Sequence, residues 1–418
     1  MKITIVNSSD IRGGAAIAAF RLFKAIRKIL PETRMLVREK LTSTSGIKGL
    51  DSSLLQKCRI KFNFWFELIS FILRSKGRNV WFDFSPANTG QNISRYSEIK
   101  NADIIHLHWV NGGFLSINNI RKLAKTGKPV VWSLHDMNPF TGGCHHAASC
   151  TNYMRECGNC IFLRFPFDKD LSNRVYRKKL KLFRSGNFSF IAVSNWMAER
   201  ARKSSLIGNS KIEVIPNSMD TDIFKPADKF SIREELGLPR NKFLILFGAA
   251  NLLDKRKGFV YLIQALDKIK ETRSEISEKY GLITFGKSSI VENSPVQVYP
   301  QAYLKDDYSI AKLYQAADVY ISPTIEDNLP STVMESLSCG TPVIVFNTGG
   351  IPDMVDHKIN GYLAEFKNVN DLITGIYWIE NHPEINQIRE NCREKVMKNF
   401  STEVIVTKHI NFYRSLIK

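Results

Sequence analysis

Residues 319–346 read VYISPTIEDNLPSTVMESLSCGTPVIVF. Val319–Ser322 is a short apolar run that predicts a buried strand. A polar loop follows, carrying Glu326 and Asp327. A helix is expected from about Ser331–Thr332 to Ser338, and Pro342–Phe346 is a second short apolar run. Strand, helix and strand of these lengths, joined by short turns, make one unit of a parallel sheet covered by helices. Glu335 is expected within the first turn or so of that helix. Capping by Ser331, with Glu335 complementing the helix dipole, explains the helix start but not the acidic loop before it.

The same rhythm extends upstream. Lys242–Gly248 and Gly281–Phe285 are predicted strands, and Phe259–Lys270 and Ile310–Ala317 are predicted helices. The first half repeats it with strands at Lys2–Asn7, Ala102–Leu107, Pro129–Leu134 and Phe188–Val193. Helical stretches lie at Ala15–Leu30, Ile117–Thr126 and Asn195–Ser204. The turn-rich run Val214–Pro226 falls between the halves as a hinge. An α/β chain of two Rossmann-like, doubly wound domains is expected, with ligands at the carboxyl ends of the strands, across a shared cleft. The boundaries fall at 1–215 and 216–396, and a C-terminal helix over about 397–418 is expected to pack back on the first domain. The 418 residues suit two such cores.

Charge divides the chain. Of 59 Lys and Arg and 40 Asp and Glu, residues 1–215 hold 35 and 14, a balance of +21, leaving 24 and 26 for the remainder, a balance of −2. A basic first half attracts a polyanion: nucleic acid, an anionic membrane or a phosphate-rich substrate. No recognised nucleic-acid module accompanies it. The opening MKITIVNSSD has no apolar signal region, and no run approaches the length of a spanning helix. These features lead to an expectation of a cytoplasmic protein with reduced cysteines.

Several short stretches carry chemistry. Gly13-Gly14 lies between the first strand and helix, where free amides and the helix dipole suit a phosphate, although tight packing would also explain two glycines. His135 and Asp136 end a strand. His135 is expected to hydrogen-bond a sugar hydroxyl, while Asp136 fixes its tautomer or a backbone turn. Asp254-Lys-Arg-Lys-Gly258 is a basic strand–helix turn in which Arg256 and Lys257 suit a diphosphate.

Residues 322–342, together with Asn347-Thr-Gly-Gly-Ile-Pro-Asp353 and Asn360-Gly-Tyr-Leu-Ala364, resemble the nucleotide-sugar half of glycosyltransferase family 4. Ser8–Arg21 and Ser133–Cys144 resemble its branch that builds capsule, colanic-acid and lipopolysaccharide chains. The likeness runs through nearly the whole chain. It implies a GT-B fold, retention at the anomeric carbon and no required metal cofactor. It also implies a nucleotide-sugar donor (UDP- or GDP-hexose) and an acceptor that is a saccharide or is carried on polyprenyl diphosphate. Glu335 matches the glutamate that holds the ribose. Asp327 stands where the family has a longer carboxylate at the sugar ring, and Glu326 is positioned to share that task. Pro330 replaces a frequent glycine and has no N–H, so a phosphate cradle falls to Leu329, Ser331 and Thr332. The usual Gly-Arg of the strand end is Gly248-Ala249 here, which makes Arg256 the candidate for the missing arginine. Lys257 matches the family's lysine. Base reading is expected from backbone at Phe285–Lys287, including Gly286, and at Tyr303–Leu304. Arg256 and Lys257, helped by the Gly14 amide, would stabilise the departing diphosphate.

Cys144, Cys150, Cys157 and Cys160 crowd one loop. They suit a structural tetrahedral zinc, with free thiols packed in a long loop as the alternative. Arg174–Arg184 reads as a basic helix, and Phe62–Leu73 is either a buried apolar helix or, with that basic helix, part of an anionic-membrane surface. The combined reading is a sugar transferase peripheral to the inner face of the cell membrane. Less favoured alternatives are a sugar-nucleotide epimerase or phosphorylase of the same fold, or a basic nucleic-acid binder.

Overall fold

The computed structural model describes residues 1–252, 254–273, 275–287, 294–301, 304 and 306–417. The chain divides into two compact units. One is Met1–Pro216 with Val406–Lys418, and the other is Asn217–Ile405.

Unit 1 is built on seven strands: β1 (Ile3–Ser9), β2 (Arg34–Glu39), β3 (Ile47–Gly49), β4 (Ile104–Leu107), β5 (Val130–Leu134), β6 (Phe188–Ala192) and β7 (Lys211–Val214). Every pairing is parallel, in the order β3-β2-β1-β4-β5-β6-β7. β1, β4, β5 and β6 are buried along their whole length, as strands covered by helices on both faces must be. The helix Gly14–Ile29 closes one face by turning Ala19, Leu22, Phe23 and Ile26 inward at three- and four-residue spacing.

Unit 2 carries β8 (Phe243–Asn251), β9 (Tyr280–Lys287), β10 (Gln297–Gln301), β11 (Val319–Ser322), β12 (Val343–Phe346) and β13 (Gly361–Ala364). These are again all parallel, ordered β10-β9-β8-β11-β12-β13. Its core gathers Ile245, Leu282, Ile321 and Ile344 with Leu262, Leu266 and Ile376 of the covering helices. β8 outruns the strand expected to end at Gly248, because its ladder with β9 is irregular between Gly248 and Asn251. A Cβ on Gly248 would lie 1.8 Å from the Phe285 ring, so only glycine lets β9 come this close.

The order of each sheet reverses once, between β1 and β4 in unit 1 and between β8 and β11 in unit 2. Crossovers leave in opposite directions there, and the loops at the carboxyl ends part to leave a crevice.

Candidate functional site

In unit 2 three loops converge at the reversal point: 254–258 after β8, 323–330 after β11 and 347–350 after β12. Gly258 sits at φ 73°, and a Cβ there would lie 1.8 Å from the Pro323 carbonyl oxygen. The Arg256 carbonyl accepts from the Ile325 N–H (2.8 Å) and the Thr324 hydroxyl (2.9 Å). Gly349, at φ 59°, lets the third loop meet the Asp327 carbonyl, and Thr348 donates to Ile325 O (3.1 Å). Acidic and basic residues far apart in sequence are thereby fixed together.

Lys257 Nζ lies 2.7 Å from Asp327 Oδ2, and Asp327 raises the lysine pKa against the opposing effect of burial. The Arg256 guanidinium pairs with Asp254 Oδ2 at 2.9 Å and is half exposed. Of the two basic residues marked in the sequence, Lys257 pairs with Asp327 of the acidic loop.

The helix after the loop spans Ser331–Ser338. Its N-cap is Pro330, no side chain caps it, and its first turn holds no acidic residue. The alternative of capping by Ser331 is not found, because Ser331 is already the first helical residue, and Glu335 falls just past the first turn. Glu335 is buried and accepts from Tyr314 Oη at 3.2 Å. Tyr320 is also buried and donates to Gly248 O at 3.1 Å. Burial raises both phenols, so they act as neutral hydrogen-bond groups around the carboxylate. Neither tyrosine was marked in the sequence, where each reads as an ordinary core aromatic. Glu326 and Thr332 are partly buried beside Asp327 and Ser331, and Leu329 is buried. Gly286, at φ 119°, has its Cα against Ala249 O, and Leu304 is partly buried. Tyr303 lies outside the described residues.

In unit 1 the helix Gly14–Ile29 starts at Gly13, in a conformation with φ 93°. A Cβ on either Gly13 or Gly14 would meet nothing within 4 Å, so there is open space beside this turn. The turn is steadied by Asp10, fully buried, which accepts from the N–H of Leu41 and from both the N–H and hydroxyl of Thr42.

His135 follows β5, and its Nε2 is 2.8 Å from His108 Nδ1, just past the end of β4. Burial depresses His135 to about 4, and Asp136 opposes this only in part. Behind the pair, His106 joins Ser133 Oγ (2.9 Å) through Nε2 and Tyr413 Oη (2.7 Å) through Nδ1. Burial holds His106 and His108 well below the usual imidazole range. Of the two tasks expected of Asp136, the backbone turn is the one its hydrogen bonds display. Asp136 accepts from Asn138 N–H (2.8 Å), which fixes the turn, from Trp109 Nε1 (3.0 Å), and pairs with His145 Nδ1 (2.7 Å). The sequence reading missed His106, His108 and Tyr413, because their partners come from neighbouring strands and from the C-terminal helix.

Cys144, Cys150, Cys157 and Cys160 line one small cavity of about 20 Å³. All four are free thiols. Burial raises Cys144, and lifts Cys157 to about 12 and Cys160 to about 11. Among the described residues no group of three or more His, Cys, Asp or Glu is arranged to hold a metal ion. The four predicted zinc ligands thus share one cavity, in which burial favours the neutral thiol at Cys144, Cys157 and Cys160.

Residues 228–398 match the family model of glycosyl transferases group 1, and residues 64–223 match that of Glycosyltransferase Family 4. The chain is 25% identical over 263 residues to the UDP-Gal:alpha-D-GlcNAc-diphosphoundecaprenol alpha-1,3-galactosyltransferase of Escherichia coli, covering 60% of this chain and 67% of that one. It is 24% identical over 328 residues to the colanic acid biosynthesis glycosyl transferase WcaC of Escherichia coli K12, covering 75% of each. Among solved structures, Anabaena HepE in complex with UDP superposes with a TM-score of 0.65 at 15% identity, over 100% of both chains. The fold is GT-B.

Proposed function

We propose that this chain, a glycosyltransferase of family 4, moves a hexose from a nucleotide-diphosphate sugar, with retention, to a lipid-carried or growing surface-polysaccharide acceptor. The observation that carries the reading is the grouping of Glu335, Asp327 and Lys257 around a helix start at the order reversal of the unit 2 sheet. Carboxylates there suit ribose and hexose hydroxyls, and the lysine and helix amides suit a diphosphate. The galactosyltransferase relative takes a UDP-sugar and a diphosphoundecaprenol acceptor, and HepE binds UDP.

In this reading Glu335 holds the ribose, and Asp327, helped by Glu326, holds the sugar ring. Ser331, Thr332 and Leu329 offer backbone amides to phosphate, and Gly286 and Leu304 contact the base. Lys257 stabilises charge on the departing diphosphate, joined by Arg256 once it leaves Asp254. The bond between the anomeric carbon and the phosphate oxygen breaks while the acceptor oxygen bonds the same face. The acceptor proton passes to a phosphate oxygen, so no enzymic nucleophile is needed. Unit 1 takes the acceptor, with His135 presenting a neutral imidazole to a hydroxyl and the Gly13–Gly14 turn to an anionic group. An acceptor carried on a lipid places the protein at an anionic membrane surface.

A screen of the purified chain against a panel of nucleotide sugars, scoring hydrolysis and transfer, tests this. One donor class should turn over, and Glu335→Ala and His135→Ala should each reduce turnover strongly. Near wild-type turnover in both variants would overturn the assignment.

A further inference from the structure

The helix Leu54–Ile72 is amphipathic in the reverse sense. Its inward face presents Asn63 and Glu67 alongside Ile60, Leu68 and Phe71. Glu67, only 3% exposed, accepts from the Gly113 N–H at 2.7 Å, and Asn63 Oδ1 accepts from Thr89 Oγ1 at 3.0 Å. Gly113 sits at φ 73°, and a Cβ there would lie 2.5 Å from the Asn63 carbonyl carbon, so the helix backbone rests directly on that turn. These polar contacts and this close approach lock the helix rotation.

The face left outside is apolar. Leu55, Phe62, Phe66, Ile69 and Leu73 follow at intervals of seven, four, three and four residues, which is one helical stripe, and Trp65 lies next to it. Their exposures run from 48% at Ile69 to 84% at Leu55. The stripe continues beyond the helix. Arg74 O accepts from Arg164 N–H (2.9 Å) and Lys76 N–H donates to Phe162 O (2.9 Å), which sets Phe165, 74% exposed, beside Leu73. An apolar surface of this extent on a soluble unit marks a binding face.

Charge identifies what covers it. Between residues 52 and 82 the single acidic residue is the buried Glu67, while Lys57, Arg59, Lys61, Arg74, Lys76 and Arg78 are all exposed. A second copy of the chain would set these cations against their own kind. An anionic bilayer would accept the cations at its headgroups and the aromatic stripe at the acyl boundary. The basic helix Leu171–Phe183 contributes only charge, since it turns Val175, Tyr176 and Leu182 inward.

We propose that the outward stripe of the helix Leu54–Ile72, with Phe165, is the element by which unit 1 lies on an anionic lipid surface, inserting its aromatic side chains. The proposal rests on the reading of a lipid-carried acceptor for its purpose, and its test is independent of catalysis. The full chain is floated with vesicles of phosphatidylcholine alone or mixed with phosphatidylglycerol. Wild type should float with the mixed vesicles and stay behind with the neutral ones. The combined Phe62→Ser, Trp65→Ser, Phe66→Ser variant should lose at least about tenfold in partitioning. A Lys57→Gln, Arg59→Gln, Lys61→Gln variant should lose about fivefold per cation and become less sensitive to salt. Equal circular dichroism and equal thermal stabilisation by a nucleoside diphosphate would show that the variants are folded. Flotation unchanged by the aromatic replacements overturns the proposal, as does failure of wild type to float. A dimer in sedimentation that the aromatic variant abolishes would assign the face to a second copy instead. Failure of the wild type to float with donor turnover intact sinks the membrane face alone, whereas flotation without any donor turnover sinks the transferase assignment.

Discussion

The buried imidazoles of unit 1 make its stability depend on pH at values where carboxylates are still ionised. His106 and His108 are held well below their ordinary range by burial and by neighbouring histidines, and His135 is depressed to about 4 by burial. The hydrogen bond between His108 and His135 has room for one proton, so protonating the pair places a cation in a buried site. The unfolded chain titrates these groups near 6.5, so below that pH it binds more protons than the fold, and stability falls with acidification. Each neutral histidine loses about 1.4 kcal/mol per pH unit, or about 2 kcal/mol for His135 between pH 6.5 and 5. Three together give a slope of up to about 4 kcal/mol per unit. Urea unfolding followed by tryptophan fluorescence, to which buried Trp132 contributes, measures this at pH 7, 6 and 5. The burial of Glu67 works in the opposite direction, because its raised pKa relieves the fold on acidification, so the measured slope should lie below the sum. His106→Asn removes one titrating group and should lower the slope by about 1.4 kcal/mol per unit, whatever it does to stability at pH 7. Stability constant from pH 7 to 5, or an unchanged slope in the variant, would refute the assignment of neutral buried histidines.

Three further outcomes follow from the geometry. Gly113→Ala should cost about 2 kcal/mol or more in thermal unfolding, because both the positive φ and the Asn63 backbone oppose a Cβ; Gly127→Ala, at φ 76° with open space around it, should cost about 1 kcal/mol, and equal costs would remove the close-approach argument. Glu335→Gln keeps the side-chain shape but loses the charge, so calorimetric titration should show nucleoside diphosphate binding weakened about tenfold to a hundredfold; a change below about threefold would exclude Glu335 from the donor. Thiol labelling of the native chain should modify exposed Cys58 quickly and buried Cys157, Cys160, Cys339 and Cys392 slowly; a second fast thiol among those four would show that their loop or core opens.

Much of the architecture is legible because parallel sheets leave a one-dimensional trace. Runs such as ITIV, VVWSL and VIVF are continuous and apolar, since their strands are covered on both faces. The strands that escaped, β2, β3, β7, β10 and β13, are short or lie toward the sheet edges, where exposed residues such as Arg34 and Lys211 dilute the signal. Composition marked residues 62–73 as apolar, but not which way that face turns. The answer lies in Gly113, some fifty residues on, and a spacing argument confined to the helix cannot reach it.

The candidate site divides along the same physical line. Residue types at strand ends were legible, since the polar loop at 326–327 and the basic turn at 255–257 interrupt apolar runs. Their pairing was not, because Arg256 and Lys257 are adjacent and chemically alike. The turn Lys255–Lys257 ends in left-handed Gly258, with Lys257 paired to Asp327 and Arg256 to Asp254. The same holds for His135. It meets His108 because β4 and β5 are adjacent and parallel, so that residues past the carboxyl ends of both strands come together. Asp136, one residue on, accepts from Trp109 and pairs with His145. In both loops the sequence names the chemistry, and the strand order decides which side chains share it.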